Sequence, residues 1–428
     1  IQLSMQRDMS GLFWTGLYVH FSNAKSGFAN YKRYCILQPM KLRAIGSRLR
    51  QNLQRFPAVA LVGPRQCGKT TLSQSMGGHY FDLEDEAGVL KLDLKWDQLI
   101  EGRDLVVLDE AQSYPPVFKR LRSAIDRRRQ VTGRFLVLGS VSPALMREVS
   151  ESLAGRLGLV ELTPFFLDEV GAEALDALWL YGGFPDGGIL GTDAMPGWQR
   201  NYLALLAQRD LPAWGLPSKP QMTERLFKML AVANGTPWNA SAIGQSLGLN
   251  YQTVNSYMDY LEGAFLLRRL QPFHANVRKR LVKSPKVYWR DSGLLHALSG
   301  ISTMDALLSQ PWVGASWEGF VIQQALSRLS ASGVDCAPYH LRTSDQYEID
   351  LLLDFGAERW ACEIKLTADP KADDLARLNR VADLIGAKRR ILVSRTLNPM
   401  EAGACASLNL PGFLARLAHT MKSVRKKD

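Results

Sequence analysis

The stretch Ala58–Thr71, AVALVGPRQCGKTT, decides the fold. Its first five residues are a short apolar run suited to a buried parallel strand. Gly63-Pro64-Arg65-Gln66-Cys67-Gly68-Lys69-Thr70 then matches the spacing of a phosphate-binding loop, and TLSQSM reads as the helix that follows. The glycines let the backbone curl so that successive amide N–H groups face one anion, and the helix start adds the positive end of its dipole. Lys69 is expected to reach the β- and γ-phosphates and Thr70 to ligate magnesium, with Gly63, Pro64, Arg65, Gln66, Cys67, Gly68 and Thr71 completing the cradle. Cys67 reads as a small filler, because nothing nearby is expected to depress its thiol pKa.

Downstream, Asp104-Leu-Val-Val-Leu-Asp109-Glu110 reads as a buried strand ending in two acids, forty residues beyond Lys69. Asp109 is expected to hold magnesium through water and Glu110 to polarise the attacking water, since phosphoryl transfer needs a positioned nucleophile. A third strand, RFLVLG, ends at Ser140, whose hydroxyl is placed to sense the γ-phosphate. Strands alternating with helices predict an α/β domain with a doubly wound parallel sheet and its ligand at the strand C-terminal ends. No Asn-Lys-x-Asp pattern is present, which favours ATP over GTP as cofactor.

GPRQCGKTTL, YFDLED, VVLDEAQ, LGS and SLAGR occur here in the order found in a group of bacterial and archaeal AAA+-related ATPases. The resemblance runs from about Met40 to the end and includes a C-terminal domain of uncharacterised function. It implies that Arg156, in SLAGR, meets the γ-phosphate. That family continues with a Pro-Leu-Ser-Phe-like stretch, where this chain has Pro164-Phe-Phe-Leu-Asp-Glu169.

Composition frames the rest. The 428 residues are 46% hydrophobic and 22% charged, the balance of a globular protein of several domains. No segment has the roughly 20 consecutive apolar residues of a membrane span. Five unclustered cysteines and six scattered histidines argue for reduced thiols in a cytoplasm and against a disulfide framework or zinc site. A net charge of +11 favours polyanionic partners. Residues 1–39 lack periodicity and are expected to be an unstructured or non-native extension before a start at Met40, which opens residues 40–181, the ATPase domain.

Residues 182–220 are rich in Gly and Pro and read as a junction. In 221–300, Asn239–Leu247 and Tyr251–Leu261 carry apolar residues at helical spacing around the turn Gly248-Leu-Asn250, a helix-turn-helix. Two strand-like runs follow and complete a winged-helix segment. Eight Lys or Arg and no acid lie between Glu262 and Asp291, including Arg278, Lys279, Arg280 and Lys283. With Tyr251, Gln252 and Asn255 available for base edges, DNA is the expected partner. A membrane surface is not, because the basic run lacks an apolar face.

In 301–428, Glu318 opens a helix, Asp350 lies on a strand, and Trp360-Ala-Cys-Glu363-Ile-Lys365 forms the next strand. Alternation puts Glu363 and Lys365 on one face with Ile364 behind. The pattern resembles the PD-(D/E)XK nuclease fold. That resemblance implies that Asp350 and Glu363 ligate magnesium or manganese, that Glu318 completes the site, and that Lys365 positions the nucleophilic water. The expected activity is ATP hydrolysis coupled to DNA engagement, with metal-dependent cleavage at the C-terminal domain. The rivals are a regulatory switch that binds DNA or a protein without cutting, and a ring-forming homo-oligomeric translocase with Arg156 acting across subunits.

Overall fold

All five residues of Ala58–Val62 (β3) are buried, as a strand flanked on both faces requires. The computed structural model of the protein describes residues 2–4, 18–20, 41–139, 153–274, 282–343 and 347–424. Ser140, Arg278, Lys279 and Arg280 lie outside them. The chain divides into two compact units, Ile1–Leu42 and Arg43–Asp428. In the first, expected to lack structure, β1 (Gln2–Ser4) and β2 (Tyr18–His20) pair antiparallel.

The second unit begins with helix α1 (Gly46–Arg55), which packs against a five-stranded, wholly parallel sheet. Its strand order is β4 (His79–Asp82), β5 (Val106–Asp109), β6 (Phe135–Gly139), β3, β7 (Leu157–Glu161). Helices α2 (Lys69–Gln74), α3 (Glu86–Glu101) and α4 (Pro116–Arg127) follow β3, β4 and β5. This is the doubly wound parallel α/β sheet that the alternating pattern predicts, with β6 inserted between the phosphate-loop strand and the acidic strand.

The Gly- and Pro-rich stretch is not a loose junction. Phe184, Tyr202, Leu203, Leu206, Leu211 and Leu216 are buried in one core with the helices that follow. Its glycines serve close packing: a Cβ on Gly187 would lie 2.0 Å from the Trp198 ring. Next come α5 (Pro220–Val232), α6 (Ala240–Leu247) and α7 (Tyr251–Gly263). Asn239 and Asn250 cap the last two, accepting from the N–H groups of Ala242 and Thr253, and left-handed Gly248 (φ 69°) ends α6.

Strands β8 (Leu267–Pro272) and β9 (Lys286–Trp289) pair antiparallel after α7. They are also the edge of a larger sheet, since β8 runs parallel to β10 (Ala337–Arg342). A boundary at residue 300 therefore cuts through one continuous sheet. From β10 that sheet continues through β11 (Glu348–Asp354), β12 (Arg359–Ile364), β13 (Arg389–Ser394), β15 (Cys405–Asn409) and β14 (Met400–Ala402). The long helix α8 (Val313–Ser332) and α10 (Leu410–Val424) pack on each other, and α9 (Ala372–Leu384) packs on β11–β13. No helix among the described residues is long and apolar enough to cross a membrane. The four described cysteines are free.

Candidate nucleotide site and the acidic cluster

The phosphate loop leaves β3 where the backbone passes very close to β7. A Cβ on Gly63 would sit 2.1 Å from the Leu162 carbonyl oxygen, so only glycine fits. Left-handed Gly68 (φ 96°) then turns the chain into α2. Lys69 is buried, with its ammonium donating to the carbonyls of Gly63 (3.1 Å) and Pro64 (2.9 Å). Thr70 Oγ1 donates to Asp109 Oδ2 at 2.6 Å, which brings the hydroxyl and the carboxylate from β5 together. Asp109 is 3% exposed and also accepts from Tyr80 Oη (2.8 Å) and the Glu110 N–H (2.9 Å). Burial, then the Asp109 carboxylate, pushes the Tyr80 phenol well up, so it stays a donor.

Glu110 is left-handed (φ 46°), a conformation that costs a non-glycine residue about 1 kcal/mol or more. That strain turns its carboxylate out of the strand, where Gln112 Nε2 donates to it. These residues suit Mg-ATP. A buried ammonium lies in a glycine-relieved loop at a helix start, with a hydroxyl–carboxylate pair beside it. Lys69 would hold phosphate oxygens, and Thr70 and Asp109 would hold magnesium. The bound nucleotide supplies the labile phosphoanhydride. Burial raises the Cys67 thiol pKa, in keeping with a filler role.

Arg43, Asp210 and Tyr202 reach this site and carry no motif signal. Arg43 donates to the Cys67 carbonyl (2.8 Å) and the Thr163 carbonyl (2.5 Å), and pairs with Glu169 (3.1 Å). Arg65, inside the loop, pairs with buried Asp210 at 2.6 Å. Its carbonyl accepts from Tyr202 Oη at 3.2 Å. Arg156 is not at the site. It precedes β7, its carbonyl accepts from the Ala58 N–H, and its guanidinium grips Asp126 at 2.8 and 3.1 Å. This is the N-terminal edge of the sheet, whereas nucleotide sits at the C-terminal edge, so Arg156 cannot meet a γ-phosphate in its own chain.

In the C-terminal domain, Glu318, Asp350, Glu363 and Lys365 converge as the resemblance implies, but around an unforeseen residue. Strand alternation sends Val287 and Trp289 of β9 into the middle core, and Lys286 and Tyr288 to the opposite face. The Lys286 ammonium, 4% exposed, pairs with Glu318 (2.8 Å) and Glu348 (2.6 Å), with Asp350 at 3.7 Å. Tyr288 also donates to Glu318. Lys365 pairs with Glu363 at 2.6 Å. Asp350 accepts from the Ile364 N–H (2.8 Å), and its pKa is raised, first by burial and then by Glu318 and Glu363. Among the described residues, no group of three or more His, Cys, Asp or Glu side chains is arranged to hold a metal ion. Glu318, Glu348, Asp350 and Glu363 thus share two ammoniums, Lys286 and Lys365, and one Glu363 carboxylate oxygen is buried without a hydrogen-bond partner among the described residues.

An AAA domain model matches residues 55–171. Two domains of unknown function follow, DUF8612 at 172–305 and DUF4143 at 313–413. The uncharacterized proteins Rv2008c of Mycobacterium tuberculosis and Mb2031c of Mycobacterium bovis are each 38% identical over 341 residues, covering 78% of this chain and 76% of theirs. The chain belongs to their family, and its AAA domain supports a P-loop ATPase. The Walker-type ATPase PABY2304 of Pyrococcus abyssi is 15% identical, with a TM-score of 0.42, and covers 61% of this chain and 99% of that one.

Of the five described cations in the basic run, three are ion-paired within the fold. Arg269 pairs with Asp259 and Glu262, Arg290 with Glu161, and Lys286 with the acidic cluster. The acids lie outside the run, so a local charge count misses them. Arg268 donates to Gln323, while Lys283 is exposed. On α7, Tyr251 and Gln252 are exposed, whereas Asn255 accepts from Trp238 Nε1 at 2.7 Å and is held inside the fold.

Proposed function

We propose that this P-loop ATPase hydrolyses ATP as a switch that changes how its middle segment engages DNA, and that its nuclease-like domain does not cleave. The observation that carries the reading is the Arg65–Asp210 ion pair, which ties the phosphate loop to the middle segment. A γ-phosphate arriving at the loop competes for that guanidinium, so nucleotide state changes the restraint on Asp210 and Tyr202. In hydrolysis, Glu110 orients water while Lys69 and the magnesium held by Thr70 and Asp109 offset charge on the leaving phosphate.

The helix-turn-helix α6–α7 with the β8–β9 hairpin is read as a winged helix, and exposed Tyr251, Gln252 and Lys283 are its DNA-facing candidates. The non-cleaving reading is favoured over metal-dependent cleavage because the Lys286 ammonium already lies among Glu318, Glu348 and Asp350 and offsets one of their three charges. The test is ATP hydrolysis with and without DNA for the wild type and Lys69→Ala, alongside a plasmid assay with magnesium or manganese. Hydrolysis that DNA changes and Lys69→Ala abolishes, with plasmid intact, supports the reading. Unchanged hydrolysis removes the coupling, and nicking lost in Asp350→Ala restores the nuclease.

A further inference from the structure

A cavity of about 240 Å3 lies where α1, the end of β7, the β8–β9 pair and α8 meet. That is more than ten times the roughly 10–15 Å3 that admits a single water, so it is not a packing defect. Three guanidiniums line it, Arg48, Arg268 and Arg290, against two carboxylates, Glu161 and exposed Asp335. Glu161 pairs with Arg290 and attracts Arg268 and Arg48 only at longer range. Arg48 donates to the Ser330 carbonyl at 2.5 Å, and no carboxylate among the described residues is in ion-pair contact with it or with Arg268. The Nε of Arg268 is enclosed and lacks a hydrogen-bond partner, and another of its nitrogens reaches Gln323 at only 3.3 Å. Burial and the neighbouring charge of Arg290 pull the Arg268 pKa down to about 9 against the longer-range attraction of Glu161 and Glu262. A guanidinium out of water with no carboxylate in contact is costly, and proteins answer such charges with an anion.

We infer that this cavity is an anion site for a compact phosphate, either orthophosphate or a small phosphomonoester, gripped by Arg268 with Arg48 and Arg290. Arg is suited to this role because its planar fork matches phosphate oxygens. The site is separate from the phosphate loop but wired to it. Thr163 lines the cavity, and Arg43 bridges the Thr163 and Cys67 carbonyls. An anion here would therefore stiffen the wall on which the nucleotide loop rests.

The experiment uses the full chain with Lys69→Ala, which removes the phosphate grip of the loop, in low-chloride buffer. Orthophosphate and glycerol 3-phosphate are titrated separately by calorimetry and thermal melting. One phosphate-binding site is expected to persist in Lys69→Ala, and to weaken at least tenfold when Arg268→Gln is added. The sign of two further readouts separates binding from mere structure. Arg268→Gln should melt no lower than its parent without phosphate, because an unanswered charge has gone. Glu161→Gln should bind phosphate as tightly or more tightly, because Arg290 is released. If Arg268→Gln does not fold, Arg268→Lys, which keeps the charge and loses the fork, should still bind several-fold more weakly. Tighter binding of glycerol 3-phosphate than of orthophosphate identifies a phosphomonoester as the occupant, and the reverse identifies the free ion. No binding to Lys69→Ala, or equal binding with Arg268 replaced, overturns the inference.

Discussion

Replacing Lys286 by methionine keeps most of the side-chain volume and removes one buried charge. Its ammonium lies 2.6 Å from Glu348, 2.8 Å from Glu318 and 3.7 Å from Asp350. With an effective dielectric near 20, each close contact is worth roughly 6 kcal/mol of gross attraction. Desolvation of the ions offsets most of that, and removing one partner of a buried pair typically costs about 3–5 kcal/mol net. The loss should depend on pH. Burial raises the Glu348 pKa, but Lys286 overcomes this and holds it below the ordinary value, so Glu348 adds stability above its unfolded pKa and loses it as the solution is acidified. Without Lys286 burial is opposed chiefly by Arg342 at 4.0 Å, so the folded pKa rises and the stability that the carboxylate adds at higher pH shrinks or reverses. The deficit of Lys286→Met should therefore be largest near pH 8 and shrink towards pH 5, read by urea denaturation across that range. A variant as stable as the wild type, or a deficit of constant size, would refute the account of the cluster as a structure held by one cation.

Four shorter predictions follow from the same geometry. Lys69→Ala should lower ATP affinity by at least a hundredfold in calorimetry, while Arg156→Ala should leave it unchanged, since Arg156 faces Asp126 at the far edge of the sheet. Tyr80→Phe removes one donor to Asp109 and should weaken magnesium dependence severalfold, seen in a magnesium titration of hydrolysis. Arg65→Ala leaves Asp210 buried beside Arg209 alone, and should separate nucleotide binding from DNA response in the hydrolysis assay. Burial holds His296 and His340 down to about pKa 4. The unfolded chain takes up those protons first, so stability should fall between about pH 6.5 and 4. Asp291, raised to about 6 by burial, pulls the other way over part of that window, so His296→Gln should flatten an acid melting profile without abolishing it.

What the sequence discloses here is whatever is local. The phosphate loop and the Asp109–Glu110 strand end are contiguous, and their spacing already implies the strand, the turn and the helix that the structure contains. Glu363, Ile364 and Lys365 alternate as expected, with Ile364 buried and the other two paired. The partners that decide how these motifs behave are distant. Asp210 is 145 residues from Arg65, and Lys286 is 32 from Glu318, so no window of sequence holds both charges. Composition misled in two places for physical reasons. Glycine marks close approach as well as flexibility, which is why Gly187 under Trp198 belongs to a core. A run of basic residues reads as a free surface only when acids elsewhere are ignored, and Glu161, Asp259, Glu262, Glu318 and Glu348 take up three of its five described cations.

That packing limits how a nucleotide signal could leave the ATPase domain. A hinge at 182–220 would need exposed, loosely packed backbone, but the rings of Phe184, Trp198 and Tyr202 pack with centroids 5.0–5.3 Å apart and Phe184 and Tyr202 are buried. Free swinging of the middle segment would expose those rings and cost several kcal/mol of apolar burial. Breaking Arg65–Asp210 or shifting Arg43 costs far less, because each guanidinium has another acceptor in reach: Glu84 at 3.9 Å for Arg65, and Glu169 for Arg43. Switching by exchange of arginine partners is thus the cheaper route. It predicts small rearrangements around the loop, visible as altered hydrogen exchange at Tyr202–Asp210 when ATP binds, with the core of Leu226, Leu230 and Leu261 unchanged. Exchange that rises across that core as well would mean that the middle segment moves as a body, and the arginine-exchange argument would fail.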